Sequence, residues 1–209
     1  MPKVSSFLIG VGVVILFASL TILSLVYIPL IRTELGYYFF RPDTKVEVFG
    51  KTSTHKPNVI YAKDDNFGIV VPKIGANSRI VPQVDPYNAN IYQVALTKGV
   101  AQALGSPAPG HPGNIFLFAH SSENFYEALQ YNSVFYLLNK LEKGDKVYIF
   151  YLKKKFVYVI TDKQIVEAAN VAYLSKKTPD QTLTLMTCWP AGTNYKRLLV
   201  NGVLKQQTN

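Results

Sequence analysis

The amino-acid sequence predicts a mostly β domain carried behind an N-terminal membrane-spanning helix. Three observations predict it. No charged residue occurs from Val4 to Ile31. From Gly68 onward the chain breaks into short apolar runs separated by Gly, Pro, Asn and Asp, the texture of strands joined by turns. Hydrophobic residues make up 48% of the 209 and aromatic ones 13%, which suffices for a core and excludes a disordered chain.

The first element is the apolar segment at residues 7–28. A helix of that length covers roughly 33 Å, close to the ~30 Å hydrocarbon core of a bilayer. A cleaved signal peptide would have a shorter apolar stretch ending in a small-x-small site. Here the run continues past the weak candidate at Ala18-Ser19, so an uncleaved anchor is the better reading. The segment is apolar on all sides, unlike a core helix with one buried face. Counted simply, the flanking Arg32, Arg41 and Lys45 against Lys3 would keep the C-terminal side in the cytoplasm. A long following domain weakens that rule, so charge leaves the orientation open.

Residues 29–67 read as a juxtamembrane linker, with aromatics at Tyr37–Phe40 and one strand in VEVFG at 46–50. GIVVPKI (68–74) and RIVPQV (79–84) read as strands. Residues 88–99 place Ile91, Val94 and Ala95 at helical spacing. SPAPGHPG (106–113) is a loop, and NIFLFAH (114–120) is a strand ending in histidine. One or two short helices are expected between 122 and 145. Residues 145–152 and 155–169 form a strand pair with Lys153 and Lys154 at the bend. After a loop at 175–181, TLTLMTC (182–188) and YKRLLVNGVLK (195–205) close the chain. Short strands in this number argue for a mostly antiparallel barrel or sandwich, because closure removes exposed edges.

The candidate chemistry gathers at strand ends. Cys188 is the only cysteine, so neither an intramolecular disulfide nor a cysteine-rich metal site is available. A thiol is a strong nucleophile as thiolate, which a nearby imidazolium or guanidinium favours. Of three histidines, His55 lies in the polar linker and His111 in the Pro-Gly loop, whereas His120 ends an apolar strand as Cys188 does. Two strands running the same way would bring both ends to one rim. Arg197 follows the connection WPAGTNYK, and a hairpin there returns it beside Cys188. Arginine is a poor general base but can stabilise an oxyanion or hold a carbonyl. No G-x-S-x-G, H-E-x-x-H, P-loop or G-x-G-x-x-G motif competes.

At these residues the chain resembles the sortases, membrane-anchored cysteine transpeptidases of prokaryotic cell surfaces. The T-L-x-T-C signature stands as Thr184-Leu185-Met186-Thr187-Cys188, its arginine as Arg197 within KRLLV, and its histidine as His120 at the end of FLFAH. VPKIGANSRIV and KGVAQALGSPAPGHPGN add supporting segments, so the likeness runs from about Gly68 to Lys205. Ala119 stands where many members have glycine, and Pro190 follows Cys188 by two residues, as in some subgroups.

The resemblance implies a closed eight-stranded β-barrel at residues 68–209. It also implies a cytoplasmic tail at residues 1–6, an anchor at 7–28 and a catalytic domain outside the membrane. Cys188 would attack a peptide carbonyl in an LPxTG-like C-terminal sorting signal of a secreted protein. His120 would protonate the leaving amine, and Arg197 with Thr187 would support the oxyanion. An amine acceptor, a cell-wall precursor or a pilin lysine, would resolve the thioester. No cofactor is required for that chemistry. The net charge of +9 would then face an anionic envelope rather than nucleic acid. Two other readings are a papain-like peptidase, which usually places Cys before His, and a non-catalytic envelope module with Cys188 as a buried hydrophobe.

Overall fold

The structure, a computed structural model, describes residues 2–38, 45–47, 59–121, 134–175 and 178–208. The chain divides into two units, residues 1–38 and 39–209. The first is one α-helix, α1 (Pro2–Tyr38), which continues past the expected anchor end at Ile28. Its stretch Phe7–Leu25 is long and apolar enough to cross a bilayer, and none of it is buried. Two hydroxyls inside this stretch are satisfied locally. Ser19 Oγ donates to Leu16 O at 2.9 Å and Thr21 Oγ1 to Phe17 O at 2.8 Å. This apolar helix fits a single-pass membrane anchor.

The second unit opens with a short parallel pair, β1 (Lys45–Glu47) and β2 (Val59–Tyr61). Eight further strands close into a barrel: β3 (Phe67–Val71), β4 (Ala76–Val84), β5 (Val100–Ala103), β6 (Gly113–Phe118), β7 (Lys146–Tyr151), β8 (Lys154–Glu167), β9 (Gln181–Trp189) and β10 (Lys196–Thr208). Their order around the barrel is β10-β8-β7-β3-β4-β5-β6-β9. Six neighbouring pairs are antiparallel; β4–β5 and β6–β9 are parallel. The eight-stranded mostly β expectation therefore holds, and closure leaves no barrel strand edge unpaired.

The short helix expected at 88–99 is α2 (Ala89–Leu96), capped by the Asn88 side chain accepting from Ile91 N–H. It is the crossover that makes β4 and β5 parallel. β5 itself was not anticipated. Its sequence, VAQA, is only four residues long, and Val100 is its single branched or aromatic side chain. The short helices expected between 122 and 145 fall partly on residues 122–133, outside the described residues. Leu138–Lys140 form a single 3-10 turn. His55 and most of the VEVFG segment also lie outside the described residues.

Alternation along the strands sends one set of side chains into the barrel, including the fully buried Ile69, Ile115, Leu117, Ile149, Leu183 and Leu185. Two patches of the outer surface are covered as well. β1 and β2 lay Val46 and Ile60 against Val70 and Phe150. On the other side, α2 and the β8–β9 connection cover Phe116, Phe118 and Leu199, burying Ala95 and packing Tyr92, Leu96, Tyr173 and Leu174 against them. This second patch leads to the candidate site.

Candidate active site

β9 is built from alternating residues, and the alternation decides what each can do. Leu183, Leu185 and Thr187 are buried toward the barrel interior. Met186 turns outward onto the Phe116–Phe118–Leu199 patch. Cys188, two residues on, shares that outward face and is half-buried. Its position is the open end of an apolar strip.

Parallel pairing brings the histidine to the same end. Phe118 of β6 is in register with Met186. The ladder runs one residue further, with Ala119 N–H donating to Met186 O at 3.2 Å. Thr187 Oγ1 then donates to Ala119 O at 2.9 Å, a bond buried on both sides. His120 follows at once, half-buried, on the rim where β9 reaches Cys188.

Antiparallel pairing brings the arginine. Arg197 is the register partner of Cys188, and Leu199 that of Met186. Directly opposed residues lie on one face with Cβ atoms about 5 Å apart. The strands stay paired out to Trp189 and Lys196, so the turn is tighter than the expected loop. Thr193 closes it, its N–H and hydroxyl both donating to Pro190 O, and the Trp189–Pro190 peptide is cis. Arg197 Nη1 donates to Asn194 O and Lys196 O, both at 3.0 Å. The connection therefore holds one end of the guanidinium.

The expected convergence of His120, Cys188 and Arg197 on one rim is thus what the strand pairings give. Thr187 differs. Its side chain points to the opposite face of β9 from Cys188, is 2% exposed, and is committed to Ala119 O. Its hydroxyl fixes the ends of β6 and β9 together rather than facing an oxyanion. His111 stays in the β5–β6 loop, where its N–H donates to Ala108 O.

Sequence reading passed over Tyr173. It sits on the 3-10 turn Ala172–Ser175 between β8 and β9, and its ring stacks on Phe116 at 5.6 Å and 15°. Burial raises its phenol above the ordinary value, the Cys188 and Tyr87 charges act in the same direction, and Arg197 opposes them. Among the described residues no group of His, Cys, Asp and Glu converges as a metal site.

The closed eight-stranded barrel thus sets a thiol and a guanidinium opposite each other on two strands, with an imidazole following the parallel strand beside them. The family follows from comparison: the sortase-domain family model matches residues 69–205, and the chain belongs to the sortase family. It is 26% identical over 162 residues to Sortase A of Listeria monocytogenes, covering 77% of this chain and 66% of that one. It is 28% identical over 135 residues to Sortase D of Bacillus subtilis, covering 63% and 60%. The chain thus spans slightly less than two thirds of each relative. The crystal structure of sortase C-1 from Actinomyces oris superposes with a TM-score of 0.57 at 29% identity, over 69% of this chain and 76% of that one.

Proposed function

We propose that the chain is a membrane-anchored cysteine transpeptidase, with residues 7–28 as the anchor, 29–67 as the linker and 68–209 as the catalytic domain on the outer side of the membrane. The observation that carries this reading is the pairing of Cys188 with Arg197, on the rim to which parallel β6 delivers His120. Cys188 Sγ, as thiolate, attacks the carbonyl carbon of a peptide bond in a C-terminal sorting signal, after Thr in an LPxTG-like motif. The oxygen charge that develops faces the free donors of Arg197. The C–N bond breaks, His120 gives its proton to the departing amine, and a thioester remains. An incoming amine, from a wall precursor or a pilin lysine, loses a proton to the neutral imidazole and attacks the thioester. The C–S bond breaks, and the thiolate and imidazolium are restored.

The test is mass spectrometry of the full chain in detergent, incubated with a panel of sorting-signal peptides and candidate amines. Expected are a covalent adduct of the acyl fragment on Cys188 and, with amine present, an amide product. Free acid alone would make the protein a hydrolase. No adduct with any peptide would overturn the reading.

A further inference from the structure

β7 and β8 are joined by a two-residue turn, Leu152-Lys153, between the paired Tyr151 and Lys154. Both turn residues have positive φ, 49° and 63°. Asparagine and glycine adopt that geometry readily, whereas leucine and lysine are strained in it. The turn is nevertheless braced. Leu152 N–H donates to Asn66 O at 3.0 Å and Lys153 N–H to Asp65 O at 2.9 Å. Behind it, Phe67 meets Tyr151 edge-on at 5.2 Å. Packing does not account for the leucine, which is 64% exposed. The fold thus holds an apolar side chain out toward solvent, in a backbone conformation that suits other residues better.

The surroundings of this leucine are basic. Lys153 and Lys154 are exposed, and so is Lys63 in the β2–β3 connection that braces the turn. Asp64 and Asp65 lie in the same connection. Asp64 Oδ1 is committed to its own turn, accepting from Asn66 N–H at 2.9 Å and Phe67 N–H at 3.1 Å. We propose that the Leu152–Lys154 turn is a lipid-contacting tip, which docks the barrel on the anionic surface of the bilayer that the chain's own anchor spans. The lysines alone would suit any polyanion. The exposed leucine among them selects a bilayer, because an apolar tip flanked by cations can lodge between anionic headgroups. Covalent linkage favours the same partner. Lys155 Nζ donates to Val46 O of β1 at 3.3 Å, and only residues 39–44 separate β1 from α1. So short a tether keeps the local concentration of headgroups high, and a weak contact suffices. The proposal rests on the anchor and not on the transpeptidase chemistry.

The test places a bimane fluorophore beside the turn, at Asn66→Cys in the full chain carrying Cys188→Ala, in lipid nanodiscs containing headgroup-nitroxide lipid as quencher. Asn66 is exposed, and labelling it leaves Leu152 and the lysines in place. The comparison site is Tyr195→Cys, 72% exposed before Lys196, at the other end of the β8–β10 ladder. In discs containing phosphatidylglycerol, quenching is expected at residue 66 and not at 195. In discs of phosphatidylcholine alone it is expected to be lost. Leu152→Asn/Lys153→Gly, which relieves the turn, is expected to raise the melting temperature and yet to reduce quenching at residue 66. That variant separates docking from folding. Equal quenching at 66 and 195 in the anionic discs would overturn the proposal, as would unchanged quenching in the Asn-Gly variant. Quenching as strong in the neutral discs would remove the lysines' part and overturn it too. If residue 66 stayed unquenched in both discs while polyglutamate shielded the tip lysines from acetylation, the partner would be a soluble polyanion and lipid docking would be wrong. No peptide enters these measurements, so their failure leaves the transpeptidase reading untouched.

Discussion

In the proposed reaction Cys188 supplies the bond-forming atom, and it is the only cysteine in the chain. Cys188→Ala is expected to abolish the thioester adduct seen by mass spectrometry while leaving the fold intact, because the residue is half-buried at a strand end. In the same proposal Arg197 acts on charge that appears during the reaction. Arg197→Ala is expected to lower acylation about 10²–10³-fold, the usual loss for one oxyanion donor. Normal turnover in that variant would remove the oxyanion role from Arg197. The approach of His120, Cys188 and Arg197 to one rim was legible because each sits at one end of an apolar run, a pattern that needs no tertiary information. The inward turn of Thr187 was also within reach, since neighbours on a strand face opposite ways and Cys188 faces out. Tyr173 was not legible. A short turn between strands has no periodicity, and only its packing on Phe116 places it on the apolar patch that leads to the site.

At the scale of elements, the site depends on β6 and β9 ending together. The buried bond from Thr187 Oγ1 to Ala119 O holds those ends. Thr187→Val keeps the volume but strands a buried carbonyl, so urea unfolding is expected to show a loss of about 1–3 kcal/mol. An unchanged midpoint would mean that the tie contributes nothing. At the same rim of the barrel, Lys73 beyond β3 binds Asp145 at 2.9 Å and Glu142 at 3.1 Å, pinning the approach to β7. Burial works against the Lys73 ammonium, but its two carboxylate hydrogen bonds outweigh this and raise it above its ordinary 10.5. The Lys73 hydrogen bond, with its charge, lowers Glu142 below its ordinary 4.5. The Glu142 contribution is thus present above pH 4.5 and lost as pH falls through its lowered value. The Lys73 contribution is present below pH 10.5 and lost as pH rises through its raised value. Lys73→Met is expected to lower the melting temperature between these limits and to converge on wild type outside them. A pH-independent difference would assign the effect to packing. The strands with branched and aromatic residues were legible in sequence, whereas β5 was not. Its VAQA run is held by α2 and its two neighbours rather than by propensity.

At the scale of the whole molecule, barrel closure rests on pairings between distant segments, above all β6 with β9 and β8 with β10. Periodicity predicts strands but not their partners. The closed eight-stranded form was therefore expected from the sortase resemblance, with the strand texture left open to a sandwich. Orientation in the membrane is a further whole-molecule property, and here the lone thiol serves as its own reporter. Flanking charge counted simply favours a cytoplasmic barrel, whereas the proposed chemistry requires an external one. Because no other cysteine exists and Cys188 is not sealed in the interior, modification by a small, charged, membrane-impermeant methanethiosulfonate reports the side on which the site lies. In intact cells producing the full chain, the reagent is expected to modify the protein and to leave Cys188→Ala untouched. Permeabilising the cells is then expected to add little further labelling. If modification appeared only after permeabilisation, the barrel would face the cytoplasm, where no secreted substrate or wall amine could reach Cys188.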